Sequence, residues 1–295
     1  MVHIETQIYN FFPKPQMPDI IMLTERNLSH YSVGQYRYES EVNSSYKENN
    51  YITGKYYQNL AETDEKPVHV IFIHGWRMKN LTKIKKMFLK QFMEFGYNMY
   101  FFTLPYHFDR TPEISLYNGE LMISANIERT LVAVKQAVQD LRSLIYWLKE
   151  NYGGKVVLVG VSLGGYVANL TSIVEKEIDL LVSIMYANNL AHVIWNSTTG
   201  KYIKQELEKN RITFKQLNDH WRLITPSNFK PIIPLENILL INGKYDLYVT
   251  PEDSEHFWQA WGRPNRISYP SGHSGIVFNR SKIARDVIAF MKQKV

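Results

Sequence analysis

The sequence predicts an α/β protein whose mostly parallel sheet is covered by helices on both faces. Three observations carry this expectation. Short, continuous apolar runs stand at 68–75 (VHVIFIHG), 97–105 (YNMYFFTLP), 155–161 (KVVLVGV), 180–187 (LLVSIMYA) and 237–242 (NILLIN). Stretches with helical periodicity separate most of them. The two kinds of segment alternate along the chain. A strand that is apolar at every position needs cover on both faces. Strand–helix–strand alternation supplies that cover through right-handed crossovers.

The elements follow in order. Residues 1–35 contain Pro13, Pro15 and Pro18 and read as an irregular lead-in. Gln35–Val42 and Tyr51–Gln58 alternate with period two around the polar loop 43–50, which predicts an antiparallel strand pair at one sheet edge. After the strand at 68–75, a helix is expected over Lys79–Phe95. A long helix follows over Asn126–Tyr152, where Leu131, Val134, Val138, Leu141, Ile145 and Leu148 form one apolar stripe and Gly153–Gly154 stop it. The strand at 155–161 runs directly into a helix, Leu163–Glu175. Helices over Asp253–Trp261 and Ser281–Lys292 flank a short strand, Arg266–Tyr269. The segment 188–236 breaks the alternation and holds amphipathic stretches at Gly200–Asn210 and Thr213–Leu223. A connection this long reads as a helical, lid-like insertion. The expectation is therefore a single domain over 1–295, with an N-terminal strand extension, 1–66, and an insertion, 188–236.

Composition narrows the function classes. Of 295 residues, 45% are hydrophobic and 14% aromatic, enough for a substantial core. The cysteine count is 0, which removes disulfides, thiolate metal sites and thiol nucleophiles. No run approaches the roughly 20 apolar residues of a membrane span. The first residues lack the basic-then-apolar pattern of a secretory signal, so a cytoplasmic location is expected. The net charge of +6 is spread along the chain, apart from Lys79–Lys90, whose lysines read as a solvated helix face. Charge without a recognition motif does not predict nucleic-acid binding.

The chemistry concentrates at Gly160-Val161-Ser162-Leu163-Gly164, a G-x-S-x-G pattern between an apolar strand and a helix. A strand that turns sharply into a helix projects its central serine above the sheet, and small residues two places either side relieve the crowding. The helix N-terminus there favours developing negative charge. A serine needs a base, and the base an orienting acid, which in this motif follow in the order Ser, acid, His. His273 in SGHSG (271–275) and Asp246 at the end of NILLINGKYD (237–246) occupy those places. Asp246 also has a plain reading as a turn residue. Asp253 is the nearest rival acid, but it stands at a helix start and reads as a cap. Two N–H donors are needed for an oxyanion: Leu163 after the nucleophile, and one from the loop His74-Gly75-Trp76-Arg77, where Trp76 is the first choice and Arg77 the second.

The set HGW (74–76), GVSLGG (160–165), NGKYD (242–246) and SGHSG (271–275) resembles the α/β-hydrolase superfamily, in particular its esterase-like and prolyl-oligopeptidase-like domains, from about Pro67 onward. The resemblance implies an eight-stranded, mostly parallel sheet, a Ser-His-Asp triad and no cofactor. HGW lacks the longer glycine run of many lipases and esterases. The expected activity is hydrolysis of carboxylic esters on a small-molecule acyl substrate. A peptidase or aminoacyl hydrolase using the same triad, and a non-catalytic binding protein of the same fold, are the alternatives. No H-E-x-x-H pattern points to a metal. Arg77 is also a candidate substrate contact. So are His107 and Arg110 in LPYHFDRTP (104–112), although an Asp109–Arg110 contact within that loop is an equal reading. Trp195 is a candidate wall of an acyl pocket, with packing of the insertion as the alternative role.

Overall fold

The computed structural model describes residues 2–61 and 64–295. Its centre is one sheet of nine strands: β1 (Ile21–Leu28), β2 (Tyr31–Glu39), β3 (Tyr51–Asn59), β4 (Val68–Ile73), β5 (Asn98–Phe102), β6 (Lys155–Val161), β7 (Leu180–Ile184), β8 (Ile238–Gly243) and β9 (Asn265–Tyr269). They lie in the order β1-β2-β3-β5-β4-β6-β7-β8-β9. Strands β4 to β9 pair in parallel, while β1, β2 and β3 are antiparallel and join the rest through β3 and β5.

The apolar runs are buried on both faces, as their composition requires. In β4, Val70 and Phe72 pack with Ile84, Phe88 and Phe92 of α2 (Thr82–Glu94) and Ile283 and Val287 of α9 (Arg280–Lys292). Ile71 and Ile73 face the opposite layer, where α3 (Ile127–Tyr152) and α4 (Leu163–Val174) contribute Val134, Leu141, Ile145 and Val167. Helix α3 begins where the Asn126 side chain accepts from the Arg129 N–H, and ends at Gly153 with φ 64°.

One expectation needs correction. The lead-in is not irregular: α1 (Val2–Phe11) and β1 precede β2, so among the described residues the sheet has nine strands rather than eight. Strand β1 is exposed along nearly its whole length, so burial imposed no alternation on it. The insertion carries α5 (Leu190–Asn196), α6 (Lys201–Lys209) and α7 (Phe214–His220), and it joins the main core. Ile203, Leu207, Leu217, Trp221 and Ile224 are buried with residues of α3 and α4. Trp221 Nε1 donates to the Ile127 carbonyl at 3.1 Å. The insertion is also held at its start. Asp253, in the first turn of α8 (Pro251–Ala260), accepts from the Asn188 backbone at 3.0 Å, the Asn188 side chain at 3.1 Å and the Asn189 backbone.

Candidate active site

Ser162 ends β6 and precedes α4, with φ 56° and ψ −117°, a conformation that L residues rarely adopt. The neighbouring glycines explain how the turn fits. A Cβ on Gly160 would lie 2.4 Å from the Gly164 carbonyl oxygen, and one on Gly164 would lie 2.2 Å from the Ile73 oxygen. Any larger residue at either place forces the strand and helix apart. The Ser162 N–H donates to the Ile184 carbonyl at 2.8 Å, which ties the turn to β7. The side chain is left partly open to solvent.

His273 Nε2 lies 2.9 Å from Ser162 Oγ, and His273 Nδ1 lies 2.7 Å from Asp246 Oδ2. A carboxylate accepts, so Nδ1 carries the proton and Nε2 presents its lone pair to the serine hydroxyl. Asp246 is buried, and its Oδ1 accepts from the Tyr248 N–H at 2.8 Å and the Val249 N–H at 3.0 Å. The turn role and the histidine contact thus coexist in one side chain. The loops carrying Asp246 and His273 are laced together by Lys244 N–H to Tyr269 O at 2.8 Å and Tyr245 N–H to Ser271 O at 3.1 Å. Gly243 permits this approach, since a Cβ there would meet the Ser271 oxygen at 2.5 Å. The Tyr248 ring sits 5.1 Å from the imidazole of His273.

Leu163 begins α4, so its N–H is one of the helix's unpaired first-turn donors. The other predicted donor, Trp76, follows Gly75, whose absent Cβ would lie 3.2 Å from Ser162 Cβ. His74 braces this loop from beneath. It is wholly buried, and its Nε2 accepts from the Leu104 N–H at 3.1 Å while Nδ1–H donates to the Gly75 carbonyl at 2.9 Å. Because the Gly75 carbonyl and the Trp76 N–H belong to one peptide plane, fixing the first fixes the second. Burial lowers the His74 pKa to about 4, which keeps the ring neutral in this role. The Trp76 indole N–H donates to the Gly119 carbonyl at 2.8 Å. Arg77 follows at φ 57°, its guanidinium 4.4 Å from the Trp76 ring and 4.0 Å from the Tyr117 ring.

A cavity of about 420 Å³ opens over Ser162 and His273, with Trp76, Arg77, Lys79, Lys83 and Met185 among its walls. The structure places Arg77 there, and it moves the other predicted substrate contacts elsewhere. Arg110 is 0% exposed and pairs with Asp140 instead of meeting a ligand. His107 is also 0% exposed, with Nδ1–H donating to the Pro105 carbonyl at 2.7 Å, and burial drives its pKa well down. Trp195 lies in α5 with its ring 6.0 Å from Phe214, packing the insertion. The walls of the cavity include no residue of 188–236. Sequence reasoning missed Lys79 and Lys83 as wall residues, because helical spacing showed their charge but not the cleft beside them. Among the described residues, no cluster of His, Asp or Glu is placed to hold a metal ion, and no helix is long and apolar enough to cross a membrane.

Comparison with known proteins finds similar sequences and similar folds. Over 115 residues, 39% of this chain, the sequence is 44% identical to the uncharacterized protein YdjC of Bacillus subtilis (strain 168), of which 99% is covered. Over 84% of this chain it is 26% identical to the uncharacterized protein Rv2627c of Mycobacterium tuberculosis (strain ATCC 25618 / H37Rv), and it spans 59% of that relative's length. Among solved structures, the acetyl xylan esterase from Paenibacillus sp. R4 superposes with a TM-score of 0.70 at 15% identity, covering 97% of this chain and 92% of that one. The Pyrococcus horikoshii acylaminoacyl peptidase gives 0.67 at 16% identity, covering 91% of this chain and 42% of that one. At such identities the likeness establishes the fold. The sequence profile of the family described as alpha/beta hydrolase domain containing 18 matches residues 62–220, more than half the chain. The chain belongs to that family, within the α/β-hydrolase superfamily.

Proposed function

We propose that this protein hydrolyses carboxylic esters through an acyl-enzyme on Ser162. The observation that carries the reading is the unbroken contact chain from Ser162 Oγ to His273 to Asp246, at 2.9 and 2.7 Å. Ser162 Oγ attacks the ester carbonyl while His273 Nε2 takes its proton. The N–H groups of Leu163 and Trp76 hold the oxyanion. The acyl–oxygen bond of the ester then breaks, and His273 returns the proton to the departing alcohol. Water repeats the sequence on the acyl-enzyme and frees the acid. Asp246 keeps the imidazole in the tautomer this cycle needs.

Incubation with a fluorophosphonate probe, followed by turnover of short-chain 4-nitrophenyl esters, tests the reading. Labelling at Ser162 and ester turnover that both vanish in Ser162→Ala are expected. Undiminished turnover in that variant overturns the assignment. Comparing 4-nitrophenyl esters with aminoacyl 4-nitroanilides separates an esterase from a peptidase, and the expected preference is for the ester.

A further inference from the structure

We infer that the cleft over Ser162 selects esters bearing a negatively charged group, a carboxylate or a phosphate, held by Arg77, Lys79 and Lys83. The inference rests on the proposed hydrolase reading and adds the substrate class. Between Arg77 and Lys90 the sequence places six cations and no acid. Three of the six line the cavity that exposes Ser162 and His273. None of the three forms an ion pair among the described residues.

The electrostatic balance of the site is one-sided. The carboxylate of Asp246 is buried behind His273 and engaged by three donors. A neighbouring hollow of about 310 Å³ shares Lys79 and Asn80 with the cleft and adds Lys55 and Lys85, against one acid on its wall, Asp109. Lys85 is turned toward Tyr57, its Nζ 3.2 Å from the phenol oxygen, and so brings no carboxylate with it. Charges of one sign lining a concave surface reinforce one another and concentrate counter-charged ligands.

Arg77 is the fixed member of the group. Its guanidinium lies at the rim between the Trp76 and Tyr117 rings, 4.4 and 4.0 Å from them, which restrains it more than an open side chain. Because Arg77 directly follows Trp76, the same loop would present the oxyanion donor and the anion contact. A guanidinium held by two rings loses little freedom on binding. The lysines, on longer flexible stems, supply charge rather than fixed geometry.

The test compares 4-nitrophenyl monoesters of adipic and suberic acid with 4-nitrophenyl hexanoate and octanoate, reading kcat/KM at low ionic strength. The charged esters are expected to be favoured at least about tenfold, with the preference shrinking severalfold at 0.5 M salt, where the screening length is only a few Å (about 3 Å at 1 M). The triple variant Arg77→Gln/Lys79→Gln/Lys83→Gln should collapse the charged-to-neutral ratio toward one, and Lys79→Gln/Lys83→Gln should lower it in part, while Lys86→Gln, outside the cleft wall, leaves the ratio as it was. Inorganic phosphate as a competitor of the neutral esters covers the phosphate source. A ratio near one in the native protein together with no competition by phosphate overturns the inference, as does a ratio and a competition that survive the triple variant. Ligand-observed NMR of adipate and of phosphate with Ser162→Ala reads the anion contact without chemistry. Charge-dependent binding there with no ester turnover in the native protein counts against the hydrolase reading alone. Probe labelling at Ser162 with no anion binding counts against the anion contact alone.

Discussion

Arg110 Nη2 lies 2.8 Å from Asp140 Oδ2, and both side chains are almost wholly removed from solvent. The guanidinium also donates to the Thr103 carbonyl at 3.0 Å and the Asn49 carbonyl at 2.7 Å, and Ser40 donates to the other oxygen of Asp140 at 2.6 Å. Burial pushes the Asp140 pKa up, and the Arg110 charge opposes that rise. The pair joins the loop after β5 to helix α3 and to the segment between β2 and β3. Removing one partner strands a buried charge. Arg110→Ala should therefore lower unfolding stability by about 3–5 kcal/mol in urea titrations, with the Arg110→Met/Asp140→Leu pair closer to the native protein. A loss under about 1 kcal/mol for the single variant would show that water reaches the site.

Asp246→Asn tests the histidine's orientation apart from its presence. The amide keeps the shape of the side chain but offers a donor where Nδ1–H needs an acceptor. Ester turnover should fall by about 10⁴-fold with little change in melting temperature, as for loss of the orienting acid in other serine triads. A fall of less than tenfold would remove Asp246 from the mechanism.

The glycines around Ser162 should be intolerant of a single methyl group. Gly164→Ala places a Cβ 2.2 Å from the Ile73 oxygen, which is backbone and has little room to yield. A stability loss of about 1–3 kcal/mol is expected from this overpacking, with loss of fluorophosphonate labelling as the turn deforms. Gly153→Ala serves as the contrast, since a Cβ there meets nothing within 4 Å and only the positive φ resists it. It should keep full labelling.

Acid should weaken the fold through buried histidines. Burial lowers the pKa of His69 and of His74 to about 4 each. Between pH 6.5 and 4 the unfolded chain takes up protons that the folded chain refuses. Stability is therefore complete above about pH 6.5 and declines as the pH falls through that window. The decline should approach about 3 kcal/mol per histidine near pH 4. His69→Gln, far from Ser162, should flatten one step of the profile in urea unfolding at pH 7 and pH 4.5. An identical pH slope in that variant would mean His69 takes up its proton in the folded chain.

Much of this architecture was legible because burial writes itself into sequence. Strands β4 to β8 are covered on both faces, so each reads as an unbroken apolar run, and the turn at Ser162 demands glycines at fixed offsets. Strand β1 left no such trace, since little of it is buried and its residues were free to be polar. Arg110 and His107 misled for a related reason: a charged or titratable residue in a loop after a strand normally faces solvent, whereas this loop folds inward onto Asp140 and Gly119. Lys79 and Lys83 showed the opposite failure. Their spacing matched an ordinary wetted helix, and only the path of the chain from Gly75 onward sets them beside the serine.

The grip of Asp253 on Asn188 and Asn189 has a consequence for any attempt to shorten this protein. Asp253 stands one turn past Thr250, which caps α8, and α8 begins just beyond the bend that orients Asp246. Excising 188–236 would strip no wall from the cleft, yet it would unmoor the hinge on which the acid hangs and bare the flank of α3 and α4. A trimmed derivative should lose the Asp246–His273 contact while Ser162 and His273 are still in the chain.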